Sequence, residues 1–147
     1  MAKTYQITPN LYISDYRAAK KLKRLSKKGI TAIVNLMEKN KYNPGSNFSY
    51  LFKPLIDRHP IAHEDLEQIL NFIDQKIGND EKVLVHCASG ISRSGGIVVA
   101  RLMVENPSWT WDQARKFVRK KTMISPHPEI RKSILEYFKK KEISESA

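Results

Sequence analysis

Nine consecutive residues, His86-Cys87-Ala88-Ser89-Gly90-Ile91-Ser92-Arg93-Ser94, bring together a thiol, a guanidinium, three hydroxyls and a glycine. The apolar run Val83–Val85 precedes them, and the apolar run Ile97–Val104 follows. A strand-to-helix turn of this length points successive backbone N–H groups into one concavity, an anion nest. The helix start adds unpaired N–H groups and a partial positive charge. A tetrahedral oxyanion such as phosphate fits there. Arg93 can grip two of its oxygens at once, which a lysine cannot do in the same way. Cys87 lies at the floor of the same positive field. That field favours the thiolate, the nucleophilic form of cysteine. Gly90 is expected to turn the backbone where a side chain would block the anion. Ser94 can donate to the sulfur when it becomes a leaving group. His86 is expected to orient the loop through hydrogen bonds to backbone. The bland alternative for Cys87 is an inert buried thiol. Arg93, Gly90 and the helix start argue against it.

The surrounding elements must hold this loop. Leu11–Ile13 reads as a short strand. Ala18, Leu22 and Leu25 sit at helical spacing on an otherwise basic helix that Gly29 ends. Ile30–Leu36 is compact and β-branched, as a buried strand is. Residues 38–47 are polar, contain Pro44-Gly45 and read as a loop. Tyr50–Leu55 reads as a further strand, followed by a loop to His63. Leu66, Ile69, Leu70, Ile73 and Ile77 form a helical stripe closed by Gly78. Ile97–Val104 is apolar nearly all round, so a central covered helix is expected. Thr110-x-x-Gln113 has the form of a capping box before Trp111, Ala114 and Val118. A last helix carries Ile130, Ile134 and Phe138. Strands alternating with helices predict an α/β fold: a central, largely parallel sheet of about four to five strands flanked by helices.

Residues 1–147 are expected to form one domain, with a core of about 5–141 and a frayed tail at 142–147. Hydrophobic residues make up 41% and charged residues 28%, which fits a globular chain and not a disordered one. The single cysteine excludes an intrachain disulfide and a multi-cysteine zinc site. No uncharged stretch approaches the length of a membrane span, and the N-terminus lacks the apolar block of a secretory signal. The expected compartment is therefore the cytoplasm. Lys plus Arg number 26 against 15 acids, a net charge of +11. Such a field attracts phosphorylated proteins, nucleic acid or acidic membrane without choosing among them. The basic charge comes in two blocks, Arg17–Lys28 and Arg115–Lys141, both read as solvated helix faces.

The motif His86-Cys87-x-x-Gly90-x-x-Arg93-Ser94 resembles the signature of the cysteine-dependent protein phosphatases. In its fuller form it is similar to the dual-specificity branch. The segments ITPNLYIS (7–14), GITAIVNL (29–36), FIDQK (72–76) and MISP (123–126) also resemble that branch, so the likeness covers roughly residues 5 to 138. Low-molecular-weight tyrosine phosphatases differ, since they carry the cysteine near the N-terminus. Rhodanese-like domains lack the Gly-x-x-Arg-Ser ending. The resemblance implies an enzyme that forms a cysteinyl-phosphate. Cys87 would be its nucleophile, Arg93 its phosphate clamp, and residues 88–92 its phosphate-binding loop. It also implies a general acid on the loop after the strand that precedes the long helix, and Asp57 in LFKPLIDRHP matches that place. Glu64 and Asp65 compete for the role, but their position at a helix start accounts for them. His127 stands where the family usually has asparagine, which questions the hydrogen bonding around the loop.

Asn40-Lys41-Tyr42 resembles the phosphotyrosine-recognition loop of classical tyrosine phosphatases. The chain is short for that class, and the segment reads as a polar surface loop. No cofactor is expected, and His59, His63, His86 and Cys87 lack the spacing of a metal site. The loop interior has no lysine, unlike phosphoinositide phosphatases of this superfamily. Small Ala88 and Ser89 leave the pocket open to phosphoserine and phosphothreonine as well as phosphotyrosine. Phosphorylated proteins are the expected substrates. An RNA 5′-phosphatase or triphosphatase is the first alternative, weakened because no aromatic platform interleaves with the lysines. A phosphoprotein-binding module without turnover is the second.

Overall fold

The computed structural model describes residues 3–146. Five strands form one sheet: β1 (Thr4–Thr8), β2 (Leu11–Ser14), β3 (Ile30–Asn35), β4 (Ser49–Phe52) and β5 (Lys82–His86). Their order is β1-β2-β5-β3-β4. β5 runs parallel to both neighbours, β3 runs parallel to β4, and only β1 is antiparallel. The expected largely parallel α/β sheet is therefore present. β1 is the strand that apolar alternation did not reveal, because only Ile7 of it is buried.

Alternation along the strands separates two cores. Leu11, Ile13, Ala32, Val34, Val83 and Val85 face one layer. That layer contains α3 (His63–Gly78), α4 (Arg93–Glu105), α5 (Trp111–Arg119) and α6 (Pro128–Ser146). Tyr12, Ile33 and Leu84 face the other layer, with Ala19 of α1 (Tyr16–Ala19) and Leu25 of α2 (Leu22–Lys27). The stripe Leu66, Ile69, Leu70 and Ile73 is buried on α3. Each such side chain contributes roughly 1.5–3 kcal/mol. α4 buries every residue from Arg93 to Leu102, as its all-round apolar sequence predicts. Gly96 is required where α4 crosses α6, since a Cβ there would stand 2.6 Å from the Ile130 side chain.

Three details differ from the sequence reading. The first helix is two short ones, broken at Lys20-Lys21: Asp15 caps α1 by accepting from the Ala18 N–H, and Lys21 takes a non-helical ψ of 68°. The strand expected to reach Leu55 ends at Phe52, shortly before Pro54, which has no N–H to give a ladder. The stretch expected to fray is helical to Ser146, while Ala147 lies outside the described residues. The capping box forms as read, with Thr110 and Gln113 bonding each other's backbone N–H.

Candidate active site

The parallel strands β2, β5 and β3 end in register at Ser14, His86 and Asn35. Sites in open α/β sheets form beyond such carboxyl ends. The loop 87–92 leaves β5 at the middle of the sheet and opens directly into α4. Its rim is pinned on two sides: the Tyr16 N–H donates to the Ala88 carbonyl at 3.1 Å, and the Ser125 N–H donates to the Ile91 carbonyl at 3.0 Å.

Cys87 is 1% exposed, deeper than an open thiolate site suggests. Its Sγ lies 3.1 Å from Ser94 Oγ and accepts from the Gly90 N–H at 3.2 Å. The Gly90 N–H and the Ser94 hydroxyl therefore both touch the sulfur. Gly90 has φ +76°, and a Cβ there would meet the Ser14 carbonyl oxygen at 2.8 Å. The left-handed turn expected at Gly90 is present, and the missing Cβ also lets the loop pack on the β2–α1 junction.

Ser92 stands at the N-cap of α4 but does not cap it. Its hydroxyl donates instead to Asp57 Oδ1 at 2.7 Å and accepts from the His127 N–H at 3.1 Å. The N–H groups of α4's first turn are left for an anion. Arg93 is 9% exposed, and its Nη1 donates to the Leu55 carbonyl at 3.0 Å. Among the described residues, Arg93 Nε is a buried side-chain polar atom without a partner. A buried donor left unpaired costs about 1–3 kcal/mol. Bidentate binding of an oxyanion would satisfy it.

Arg93 and Ser92 together bring the separate loop carrying Asp57 to the cysteine loop. The far end of that loop is tied where the Ile61 N–H donates to Ser133 Oγ at 2.8 Å. Arg58 takes φ 67° beside Asp57, and its own N–H, not its guanidinium, bonds Asp57 Oδ1 at 2.9 Å. Glu64 and Asp65 lie in the first turn of α3, and Asp65 pairs with Lys53. His59 Nδ1 bonds the Asp57 carbonyl, and His63 stacks on Tyr137. Among the described residues no three His, Cys, Asp or Glu side chains could hold a metal ion together. His127 keeps the loop bonded through its backbone N–H, and its Nδ1 accepts from the Glu129 N–H at the start of α6. His127 thus bonds the loop through its backbone and α6 through its ring.

Tyr42 is the residue that sequence reasoning missed. Its hydroxyl lies 2.8 Å from His86 Nε2, so Asn40-Lys41-Tyr42 is not merely a polar surface loop. His86 Nδ1 lies 3.3 Å from the Cys87 carbonyl, which can only accept. Nδ1 therefore carries the proton and Nε2 accepts from Tyr42. Burial pushes the His86 imidazole from 6.5 down to about 4 and pushes the Tyr42 phenol up. Both are held neutral. The sign follows: protonation is easier in the unfolded chain, so the stabilisation is complete above 6.5 and disappears as pH falls to about 4. We expect thermal unfolding to show about 3 kcal/mol lost over that window because of His86. A His86→Asn protein should show a flatter profile there; an equally steep one would assign the loss to other groups.

A buried cysteine thus sits where a strand turns into a helix, with a buried arginine at the helix start and an aspartate held to the same loop by Ser92. The chain belongs to the dual specificity phosphatase family, whose catalytic-domain model matches residues 11–140. It is similar to human dual specificity protein phosphatase 9, with 34% identity over 125 residues, 83% of this chain and 33% of that one. It is also similar to tyrosine-protein phosphatase yvh1 of Schizosaccharomyces pombe, with 32% identity over 135 residues, 90% of this chain and 41% of that one. The chain thus spans well under half the length of these curated relatives. The structure resembles that of the human tyrosine phosphatase-like serine/threonine/tyrosine-interacting protein. The TM-score is 0.82 at 29% identity, over 95% of this chain and 97% of that one. No helix among the described residues is long and apolar enough to cross a membrane.

Proposed function

We propose that the protein hydrolyses phosphotyrosine and phosphoserine/phosphothreonine in protein substrates through a phosphate ester of Cys87. The observation that carries this reading is the buried, unpartnered Nε of Arg93 at the start of the helix that the Cys87 loop opens into. In the first step the Cys87 thiolate attacks phosphorus and the P–O ester bond breaks. The leaving oxygen takes a proton from the Asp57 carboxyl. In the second step Asp57 takes a proton from water, whose oxygen attacks phosphorus. The P–S bond breaks, inorganic phosphate leaves, and the thiolate returns to the Ser94 hydroxyl and the Gly90 N–H. Ser92 holds Asp57 in place through its hydroxyl. His86 holds the cysteine carbonyl, and Tyr42 holds His86. A thiolate with no second cysteine to resolve its oxidation works best where thiols stay reduced, which supports a cytoplasmic site of action.

Phosphate release from a phosphotyrosine peptide, a phosphothreonine peptide and a 5′-triphosphate RNA tests the substrate class. Release from both peptides is expected. Release from RNA alone would move the same mechanism to the other substrate. The interacting-protein relative favours one second reading, a module that binds without turnover. An inert wild type that still binds phosphopeptide would establish it.

Asp57→Asn separates the acid from the clamp. With an alkyl phosphoester the variant should lose about two to four orders of magnitude in kcat. With an aryl ester whose leaving group needs no proton, the loss should be much smaller. Equal losses on both esters would remove Asp57 from the acid role.

A further inference from the structure

Part of the first basic block lines a cavity. Between edge strand β1 and the α1–α2 pair lies a cavity of about 500 Å³. Lys3, Lys21, Arg24, Lys27 and Lys28 line it, with Tyr5 of β1. Among the described residues no acid lines it, and none of these five cations pairs with a carboxylate. The chain holds no Asp or Glu between Asp15 and Glu38. On α2, Lys23 and Lys27 stand four residues apart, a like-charge spacing that costs stability unless an anion offsets it.

The charge continues toward the catalytic loop. Tyr16 at the start of α1 donates to Ala88 of that loop, and Lys20 Nζ and Lys41 Nζ stand 4.5 and 5.9 Å from the Tyr16 ring. The path from Tyr16 to Lys27 along α1, the break and α2 is at most roughly 22 Å. An extended peptide covers that in about six or seven residues. β1 pairs only with β2, so its other edge offers main-chain donors and acceptors to an extended chain beside the cavity. A polypeptide uses both the charge and the edge. A nucleic acid strand would want a series of stacking aromatics, and Tyr5 is the aromatic residue lining this cavity.

We propose that this cavity docks an acidic segment of the phosphoprotein substrate, several residues from the phosphorylated one. The proposal rests on the phosphatase reading above. The test compares phosphotyrosine peptides that carry, on either side and about six residues away, a glutamate block or a serine block. Wild-type protein should favour one acidic peptide by about tenfold in kcat/KM, through KM, with the preference shrinking as salt rises. The variant combining Lys21→Gln, Arg24→Gln and Lys27→Gln should bring the ratio to near one. Its turnover of p-nitrophenyl phosphate should be unchanged, which also shows that it folds. No preference in the wild type, or a preference that survives in the variant, overturns the proposal. So does binding of single-stranded RNA or phosphatidylserine vesicles that exceeds peptide binding and is lost in the variant. If the wild type does not hydrolyse p-nitrophenyl phosphate, the phosphatase reading has failed on its own. Fluorescence anisotropy of the labelled acidic peptide then decides: binding lost in the variant supports the cavity, and binding absent or retained overturns it.

Discussion

Replacing Cys87 by serine should lower kcat by about four to six orders of magnitude, the scale seen when a covalent nucleophile is removed. The protein should still bind phosphate. A serine hydroxyl occupies nearly the same place, and the contacts from Ser94 Oγ and the Gly90 N–H do not depend on sulfur chemistry. Arg93 and the first turn of α4 remain to hold the anion. What is lost is ionisation. A hydroxyl stays protonated where a thiol gives up its proton, so the attacking species disappears. Calorimetric titration with phosphate and a turnover assay on the same sample separate binding from chemistry. A serine variant that still turns over at a measurable fraction of the wild-type rate would place the nucleophile elsewhere.

Arg93→Lys should cost about three to five orders of magnitude in kcat, as expected of an arginine that clamps transferring phosphoryl oxygens. The charge is kept, so simple attraction of the anion survives. The fork is not kept. A lysine cannot offer two parallel N–H groups to phosphate while a third donor holds the Leu55 carbonyl. The Leu55 contact also ties the segment before Asp57 to Arg93, so the variant should loosen Asp57 as well. Inhibition by a phosphate analogue such as vanadate should weaken in step with kcat. Near-normal turnover with lysine would mean that charge alone suffices and that the unpaired Nε has no catalytic meaning.

The cysteine loop was legible because everything it needs is contiguous. A β-branched strand, a six-residue turn and an apolar helix lie in one run of sequence, and the physics of a helix start acts locally. The groups that complete the site come from far along the chain and left weaker marks. Asp57 could be placed only through family resemblance, since its contact with Ser92 joins residues 35 apart. Tyr42 could not be placed at all. Its bond to His86 spans 44 positions, and nothing in a polar loop marks one tyrosine as half-buried against a histidine. Gly90 makes the expected turn, and its close approach to the backbone of Ser14, a strand away, is a second reason that local sequence does not show. The basic block was visible as charge. The cavity it lines depends on β1, whose single buried residue gave no alternation to read.

The central claim is covalent: phosphate passes through the sulfur of Cys87. Rapid acid quench of wild-type protein with a phosphotyrosine peptide, followed by proteolysis and mass spectrometry, tests it most directly. The expected result is transient phosphate on the peptide that contains Cys87, absent from the Cys87→Ser protein. Turnover that proceeds with no phosphate on that peptide, or with phosphate on another residue, would contradict the account.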